Sequence, residues 1–577
     1  MKHLRYLNKF FWKHKNLLFI GIFFIIIANL FALYPAEFVR KAFDIVLIDN
    51  IEKVEAQKIL LKYCSLIILF AILKGVFMYF MRQTIIVMSR KIEFDLKNEI
   101  YKQYQNLSLQ FYNKNKTGDL MNRISEDVNR VRMYLGPALM YSINITVLFY
   151  LVLNRMFSIS INLTYFALIP LPILAIAVYL VSNRINYRSE KVQEQLSKLT
   201  SITQETYSGI KIIKTFVNEH NTWSKFNKAC KEYTQRQLFL VKIEAFFFPL
   251  IITLIGMSTI LTVYVGGNES FKGNITTGNI AEFIIYINML AWPVASIGWV
   301  TSLVQRAAAS QERINKFLFL KSEIKNYTEA NTPIKGDINF QDVEFSYNNN
   351  KVLNKISFSI KEGNTLGIFG RTGSGKSTIA NLILRLSQPN AGKIMFGKIE
   401  LKKLNLNILR QSIGYVSQDG YLFSGTIKEN IAFCDNKVNE EKIIIAAKKA
   451  NIFDEVMKFQ HGFNTIIGER GVQLSGGQRQ RLAIARTLYK EPDIFILDDC
   501  LSAVDANKEN KILHEIKKQS NKKTTIIISH RISSIKNADQ IIVLEKGIIT
   551  NKGDHKELLA QKGLYKKIYH KQTTNKD

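Results

Sequence analysis

The stretch IFILDDCLSAVD, Ile494 to Asp505, carries two adjacent carboxylates at the end of an apolar run. Four β-favouring residues before Asp498 predict a buried strand that delivers one carboxylate to a Mg²⁺ site. Asp499 follows, at the position where a nucleotide hydrolase needs a base for attacking water. Farther upstream, GIFGRTGSGKST, Gly367 to Thr378, follows an apolar strand and precedes the helical pattern IANLILRL. Gly370, four residues, then Gly375, Lys376 and Ser377 is the spacing of a phosphate-binding loop. Its glycines let backbone N–H groups close around phosphates, Lys376 supplies a cation to the β and γ groups, and Ser377 can ligate Mg²⁺. Arg371, Thr372, Gly373, Ser374 and Thr378 complete the candidate nucleotide-binding loop.

Between these two motifs lies YVSQD, with Gln418 after a β-like stretch. Beyond it, LSGGQRQRLAIARTL begins at Leu474, and Ser475, Gly476, Gly477 and Gln478 open a long amphipathic helix. The free N–H groups and positive dipole of a helix start make a second anion site. A domain that already owns one phosphate loop has little need of another, so this one is expected to address nucleotide held by a different domain.

The elements that must carry these motifs divide the chain unevenly. With 577 residues and 47% hydrophobic content, at least two domains are expected. Residues 1 to about 305 carry long apolar runs, whereas 336 to 577 alternate short apolar strands with charged helices. Six stretches are long and apolar enough to cross a bilayer as helices, near 17–36, 60–81, 133–154, 160–182, 245–267 and 278–304. The connection 183–242 holds eleven Lys or Arg against five acids, and 82–132 holds ten against six. By the positive-inside rule these long hairpins and both termini face the cytosol.

Lys74, Asn144, Glu282 and Asn288 fall inside the spans and are expected to face the bundle interior or water, because each is costly in hydrocarbon. The first apolar run is too long for a cleavable signal and lacks a small-residue cleavage site. The formal charge of +31 is mostly lysine spread along the chain, without the basic stripe and interleaved aromatics of a nucleic-acid binder. Cys64, Cys230, Cys434 and Cys500 have no metal-ligand spacing and form no paired framework.

Phosphate loop, Gln418, LSGGQ, ILDD, SAVD and His530 in IIISHRISSI occur in the order found in ATP-binding cassette (ABC) proteins. Six spans placed before the cassette resemble the exporter half-transporters of that superfamily, and the resemblance covers essentially the whole chain. It implies an all-α six-helix transmembrane domain (1–305), a linker (306–335) and an α/β P-loop cassette (336–577). Position by position, it implies that Tyr347 stacks on adenine, Gln418 links Mg²⁺ to the membrane hairpins, and His530 contacts the γ-phosphate. Ser475 to Gln478 then close on ATP in the opposite cassette, with Asp505 beside them at the dimer interface. GERG, Gly468 to Gly471, resembles the exporter segment that touches the hairpins. The polar turns after Phe111 and after Glu205 become candidate coupling helices, and TTGNIAEFIIYINMLAWPV resembles the last span of bacterial multidrug exporters. ATP and Mg²⁺ are the implied cofactors. The implied partners are a second half-transporter, membrane lipid and a small hydrophobic or amphipathic substrate.

The hydrolytic cassettes of that family carry glutamate where this chain has Asp499. Aspartate keeps the charge but is one methylene shorter, and general-base work depends first on reach. Three readings follow: a heterodimer in which this chain supplies a degenerate site, a homodimer whose sites tolerate aspartate, and an ATP-gated regulator or channel. The intact LSGGQ supports the first, because it would serve the partner's site. An importer is disfavoured because importers usually carry membrane and cassette parts on separate chains. No peptidase-like extension is expected before the first span.

Overall fold

The computed structural model describes residues 2–46, 53–330, 333–348, 350–435, 437–468, 471, 473–519 and 523–574. Two compact units emerge: Met1–Gln105 with Thr117–Leu320, and Asn106–Lys116 with Lys321–Asp577.

The first unit is built on six helices long and apolar enough to span a membrane: Lys15–Val46, Lys53–Asn106, Thr117–Ile159, Ile161–Ser208, Glu219–Phe271 and Thr277–Leu318. Every apolar run singled out in the sequence lies almost entirely within one of them. The helices extend well past those runs, because outside hydrocarbon a polar, amphipathic stem continues the same backbone hydrogen bonding. The sixth span packs most deeply, placing Phe283, Tyr286, Ile287, Leu290 and Val294 against Leu148 and Val152 of the third and Leu171 and Leu174 of the fourth. The apolar cores of the second and fifth spans are almost uncovered.

Of the four polar residues in the spans, two are turned inward. Asn144 Oδ1 accepts from Asn29 Nδ2 at 2.8 Å. Glu282 is buried and accepts from the Tyr286 hydroxyl at 2.7 Å, with Arg40 3.5 Å away. Lys74 and Asn288 lie on exposed helix faces, and Asn288 Nδ2 is satisfied by the Ile284 carbonyl of its own helix. The hairpins carry short helices at their tips, Leu109–Lys114 and Ile210–Thr215.

The second unit is an α/β fold with two main sheets. β1 (Ile338–Tyr347), β2 (Asn350–Ile360), β4 (Ala391–Phe396) and β5 (Ile399–Glu400) form an antiparallel sheet in the order β2-β1-β4-β5. β3 (Thr365–Gly370), β6 (Ile413–Val416), β9 (Ile494–Asp498), β10 (Thr524–Ser529), β11 (Gln540–Glu545) and β12 (Ile548–Gly553) form the larger sheet, ordered β12-β11-β3-β10-β9-β6. A two-residue pair, β7 (Gly425–Thr426) and β8 (Ile466–Ile467), stands apart.

Period-two alternation explains why the central strands of the large sheet read as continuous apolar runs, whereas the edge strand β12 is exposed or half-buried along its length. Phe495 and Leu497 face one core with Phe369 and Ile527, while Ile494 and Ile496 face the other with Leu366, Ile368, Ile526 and Ile528. Covered on both faces, each of these central strands needs apolar residues at successive positions. The central pairs are parallel, with Ile528 opposite Asp498, Ser529 opposite Phe369 and Val416 opposite Leu497. The carboxyl ends of β3, β10, β9 and β6 therefore open on one edge of the sheet, where ligands bind in open α/β sheets.

Candidate nucleotide site and signature face

The phosphate loop leaves β3 and enters the helix Lys376–Ile383. Gly375 caps that helix with φ +100°, a conformation closed to most side chains, and an added Cβ would stand 2.7 Å from Leu353. Arg371, Thr372 and Gly373 are exposed on the outer turn, while Ser374 and Thr378 are buried. Lys376 reaches back across the loop and donates to the Gly370 and Arg371 carbonyls, both at 2.8 Å. Burial pulls its ammonium below the usual lysine range, against the opposing pull of Asp499 and Asp498.

Ser377 Oγ donates to Asp498 Oδ1 at 3.0 Å, so the loop and the β9 carboxylate meet although they are 121 residues apart in sequence. Tyr415 on β6 donates to the other oxygen at 3.3 Å. Burial pushes the Asp498 carboxyl up, and the Ser377 and Tyr415 hydrogen bonds pull against it. Among the described residues no cluster of three or more His, Cys, Asp or Glu could hold a metal by itself. One hydroxyl and one buried carboxylate are instead the hard-oxygen set that suits Mg²⁺ completed by phosphates and water. The Ser374 hydroxyl, 5% exposed and without a hydrogen-bond partner, is an orphaned polar atom inside the same loop, which a phosphate-bearing ligand would fit.

Asp499 turns away from the strand with φ +48°, its N–H held by the Ile528 carbonyl at 2.9 Å. Its two oxygens lie 2.9 and 3.0 Å from His530 Nδ1, and Gln418 Nε2 donates to one of them at 3.4 Å. Asp498, Asp499, His530, Gln418, Lys376 and Ser377 are thus one constellation at the strand ends. Tyr347, at the end of β1, is half-buried and meets Phe345 edge-on with ring centroids 4.6 Å apart.

The signature stands on the helix Gly476–Lys490. Ser475 caps it reciprocally: its Oγ accepts from Gln478 N at 3.2 Å, and Gln478 Oε1 accepts from Ser475 N at 2.9 Å. Leu474 is buried in the core below, while Ser475 is exposed. A Cβ on Gly477 would stand 2.7 Å from the Ala503 carbonyl oxygen, so only glycine lets the helix start pass so close to the segment before the exposed Asp505. Of the GERG segment, Glu469 and Arg470 lie outside the described residues.

Two side chains given no role from sequence hold this face in place, although the first, Gln480, lies within LSGGQRQRLAIARTL itself. Gln480 donates to the Gln418 carbonyl and Ser502 Oγ, each at 3.3 Å, and accepts from Ala503 N at 3.1 Å. Glu455, on the short helix Phe453–Met457, takes Arg481 in a bidentate pair at 2.7 and 2.9 Å, Gln478 Nε2 at 3.1 Å and Lys508 Nζ at 2.8 Å. The Arg481 hydrogen bonds, joined by those from Lys508 and Gln478, hold its carboxyl at about 2. No motif marks Glu455, because its partners follow 23, 26 and 53 residues later.

Six helices long and apolar enough to span a membrane, joined on one chain to a phosphate-loop domain that also bears a second, exposed and reciprocally capped helix start, are the parts of a nucleotide-driven membrane transporter. The comparisons agree with that class. Residues 18–294 match the family model for the ABC transporter transmembrane region, and residues 353–502 match the ABC transporter model. The chain is 33% identical to the probable multidrug resistance ABC transporter ATP-binding/permease protein YheI of Bacillus subtilis (strain 168), covering 99% of this chain and 97% of that one. It is also 33% identical to the multidrug resistance-like ATP-binding protein MdlA of Escherichia coli (strain K12), over 88% of this chain and 87% of that one. Identity to the ATP-dependent lipid A-core flippase of Syntrophus aciditrophicus (strain SB) is 32%, over 92% and 88%. Among solved structures, a bacterial Atm1-family ABC exporter with ATP bound superposes with a TM-score of 0.81 over 97% of this chain and 98% of that one; at 23% identity this speaks for the fold alone.

The chain belongs to the ABC transporter family. It is a multi-pass membrane protein of the exporter type, with membrane and ATP-binding parts fused, and its enzymatic activity is ATP hydrolysis coupled to transport.

Proposed function

We propose that this chain is one half of a heterodimeric exporter that moves a hydrophobic or amphipathic molecule, drug or lipid, out across the cytoplasmic membrane by alternating access. In this reading residues 1–305 form the membrane domain, 306–335 the linker and 336–577 the cassette, with the cassette and both termini in the cytosol. Two ATP molecules are sandwiched head to tail, and this chain's own phosphate loop forms the slow site. The observation that carries the proposal is the contrast within one cassette between a complete signature face and a shortened carboxylate at Asp499. Asp499 is about 1.5 Å shorter than the family glutamate, and both of its oxygens are already engaged by His530. The signature is reciprocally capped and braced by Glu455, as a working partner site requires.

The proposed roles follow from position. Lys376 and the loop N–H groups bind the β and γ phosphates, and Tyr347 offers a flat face to adenine. His530 contacts the γ-phosphate and orients Asp499. Ser377, Asp498 and Gln418 would hold Mg²⁺, which would supply charge neutralisation for the phosphates. Closure of the cassettes is relayed through the hairpin tips Leu109–Lys114 and Ile210–Thr215, and hydrolysis resets it. That the segment Asn106–Lys116 packs with the cassette's compact unit supports the first of these tips. The multidrug and lipid-flippase names among the relatives support the substrate class.

A homodimer is the second reading, favoured by the carboxylate retained at Asp499 and its contact with His530. Copurification of the chain from its native membrane, with mass spectrometry of what accompanies it, separates the two. The heterodimer requires a stoichiometric second half-transporter with glutamate after its Mg²⁺-side aspartate; recovery of this chain alone, as a dimer, refutes it.

A further inference from the structure

We propose that Lys508 is a further nucleotide-binding residue: its ammonium is the cation that this chain's signature face extends to the triphosphate held on the partner cassette, and Glu455 stores it there. The inference rests on the reading that Ser475–Gln478 address the partner's nucleotide.

Glu455 has two cationic neighbours, and they are not equivalent. Arg481 pairs with it through two hydrogen bonds, donates also to the Asn451 and Gly477 carbonyls at 2.7 and 3.2 Å, and has a side chain only 5% exposed. Four of its five N–H donors are used and its planar fork is fixed. Lys508 reaches the same carboxylate through one contact at 2.8 Å, and its side chain is 36% exposed. It stands at the rim of an open cavity of about 390 Å³, with Ser475, Gly476, Gly477 and Asp505 around the same opening.

Because Arg481 by itself pairs both oxygens of Glu455, Lys508 can leave for a phosphate oxygen without leaving that partly buried carboxylate unpaired. A flexible four-carbon stem permits that swing. Charge balance requires it as well. The cavity holds two carboxylates, Glu455 and Asp505, against two cations, Arg481 and Lys508. Without Lys508 its side chains would present net negative charge to a triphosphate, against the positive end of the signature helix.

The test is steady-state ATPase of the full-length complex with its partner, measured against ATP concentration. Lys508→Ala is expected to raise KM for ATP about five- to tenfold, the worth of one partly exposed charged hydrogen bond, with kcat changed far less. Lys508→Arg should restore most of the affinity. Lys508→Met, which keeps the stem and loses the charge, should raise KM as much as Lys508→Ala. If Lys508 only braced Glu455, its loss would lower the melting temperature and kcat while leaving KM for ATP, and its dependence on salt, as in the wild type. An unchanged KM in Lys508→Ala and Lys508→Met overturns the proposal. Ser475→Arg in the same preparation keeps the two ideas separable: if it stops turnover while Lys508→Ala is silent, only the role of Lys508 falls. If Ser475→Arg is also silent, the signature reading itself is wrong.

Discussion

Replacing Asp499 by asparagine removes the charge at the strand end and little else. The amide is isosteric, and asparagine, like aspartate, is among the residues that best tolerate the φ of +48° found there. The N–H bond to the Ile528 carbonyl does not involve the side chain. What changes is the pair of contacts to His530 at 2.9 and 3.0 Å and the long one to Gln418 at 3.4 Å. One of these is retained by the amide oxygen, so the local loss is on the order of 1 kcal/mol, too small to unfold a domain. Any large effect on turnover must therefore be chemical. If the carboxylate is the working base, losing it costs about 10²- to 10⁴-fold in kcat. If this chain holds the slow site of a heterodimer, the complex keeps at least about half its rate, a difference under about 0.5 kcal/mol. Steady-state phosphate release by the purified complex in lipid, with thermal melting as a control for folding, reads the difference directly. A collapse of ATPase in Asp499→Asn at unchanged melting temperature would refute the degenerate-site argument and make this aspartate the base.

The other expectations are simpler. Lys376→Ala leaves the phosphates' charge uncompensated and should abolish photolabelling of this subunit by a reactive ATP analogue, while labelling of the partner persists. Tyr347→Phe should be mild and Tyr347→Ala should weaken ATP binding by about 1–3 kcal/mol, the worth of a base stacked on an aromatic ring; equal affinity in all three proteins removes the adenine role. Glu455, lowered from an ordinary 4.5 to about 2, contributes stability that is complete above its unfolded value and lost as pH falls toward 2. Between about pH 5 and pH 3 the melting temperature of the wild type should therefore drop more steeply than that of Glu455→Gln, and parallel curves would contradict the pairing.

The six spans and the phosphate loop were legible in sequence for related physical reasons. A run of about twenty apolar residues has few soluble alternatives, and glycines at fixed spacing before a lysine announce a backbone cradle. Helix ends were not legible, since hydropathy fades where the stem leaves the membrane but the hydrogen bonding does not. The second span, read as 60–81, is one helix from Lys53 to Asn106. Within the cassette, residues with a family role could be named in advance, whereas Glu455 lies on no motif and the roles of Gln480 and Tyr415 stayed hidden although both lie inside quoted motifs. Each acts through partners brought near only by the fold: Glu455 through Arg481, Gln480 through the Gln418 carbonyl, Tyr415 through Asp498. Asp499 was visible as a chemical departure from the family pattern, but its left-handed backbone was not. That backbone bears on the reverse change: glutamate at this position regains reach but is less at home at such a φ than aspartate.

The cassette's compact unit is discontinuous in the chain, because Asn106–Lys116 belongs to it although the rest begins at Lys321. During synthesis this eleven-residue piece leaves the ribosome first and must then wait while Thr117–Leu320 is made. At about 5–20 residues per second that wait is on the order of 10–40 s, far longer than the folding of most small domains. The compact unit that holds the cassette is therefore complete only with a segment made early in translation. Its assembly is timed by the insertion of four intervening spans, and a pause or misinsertion there would be felt in the domain made last.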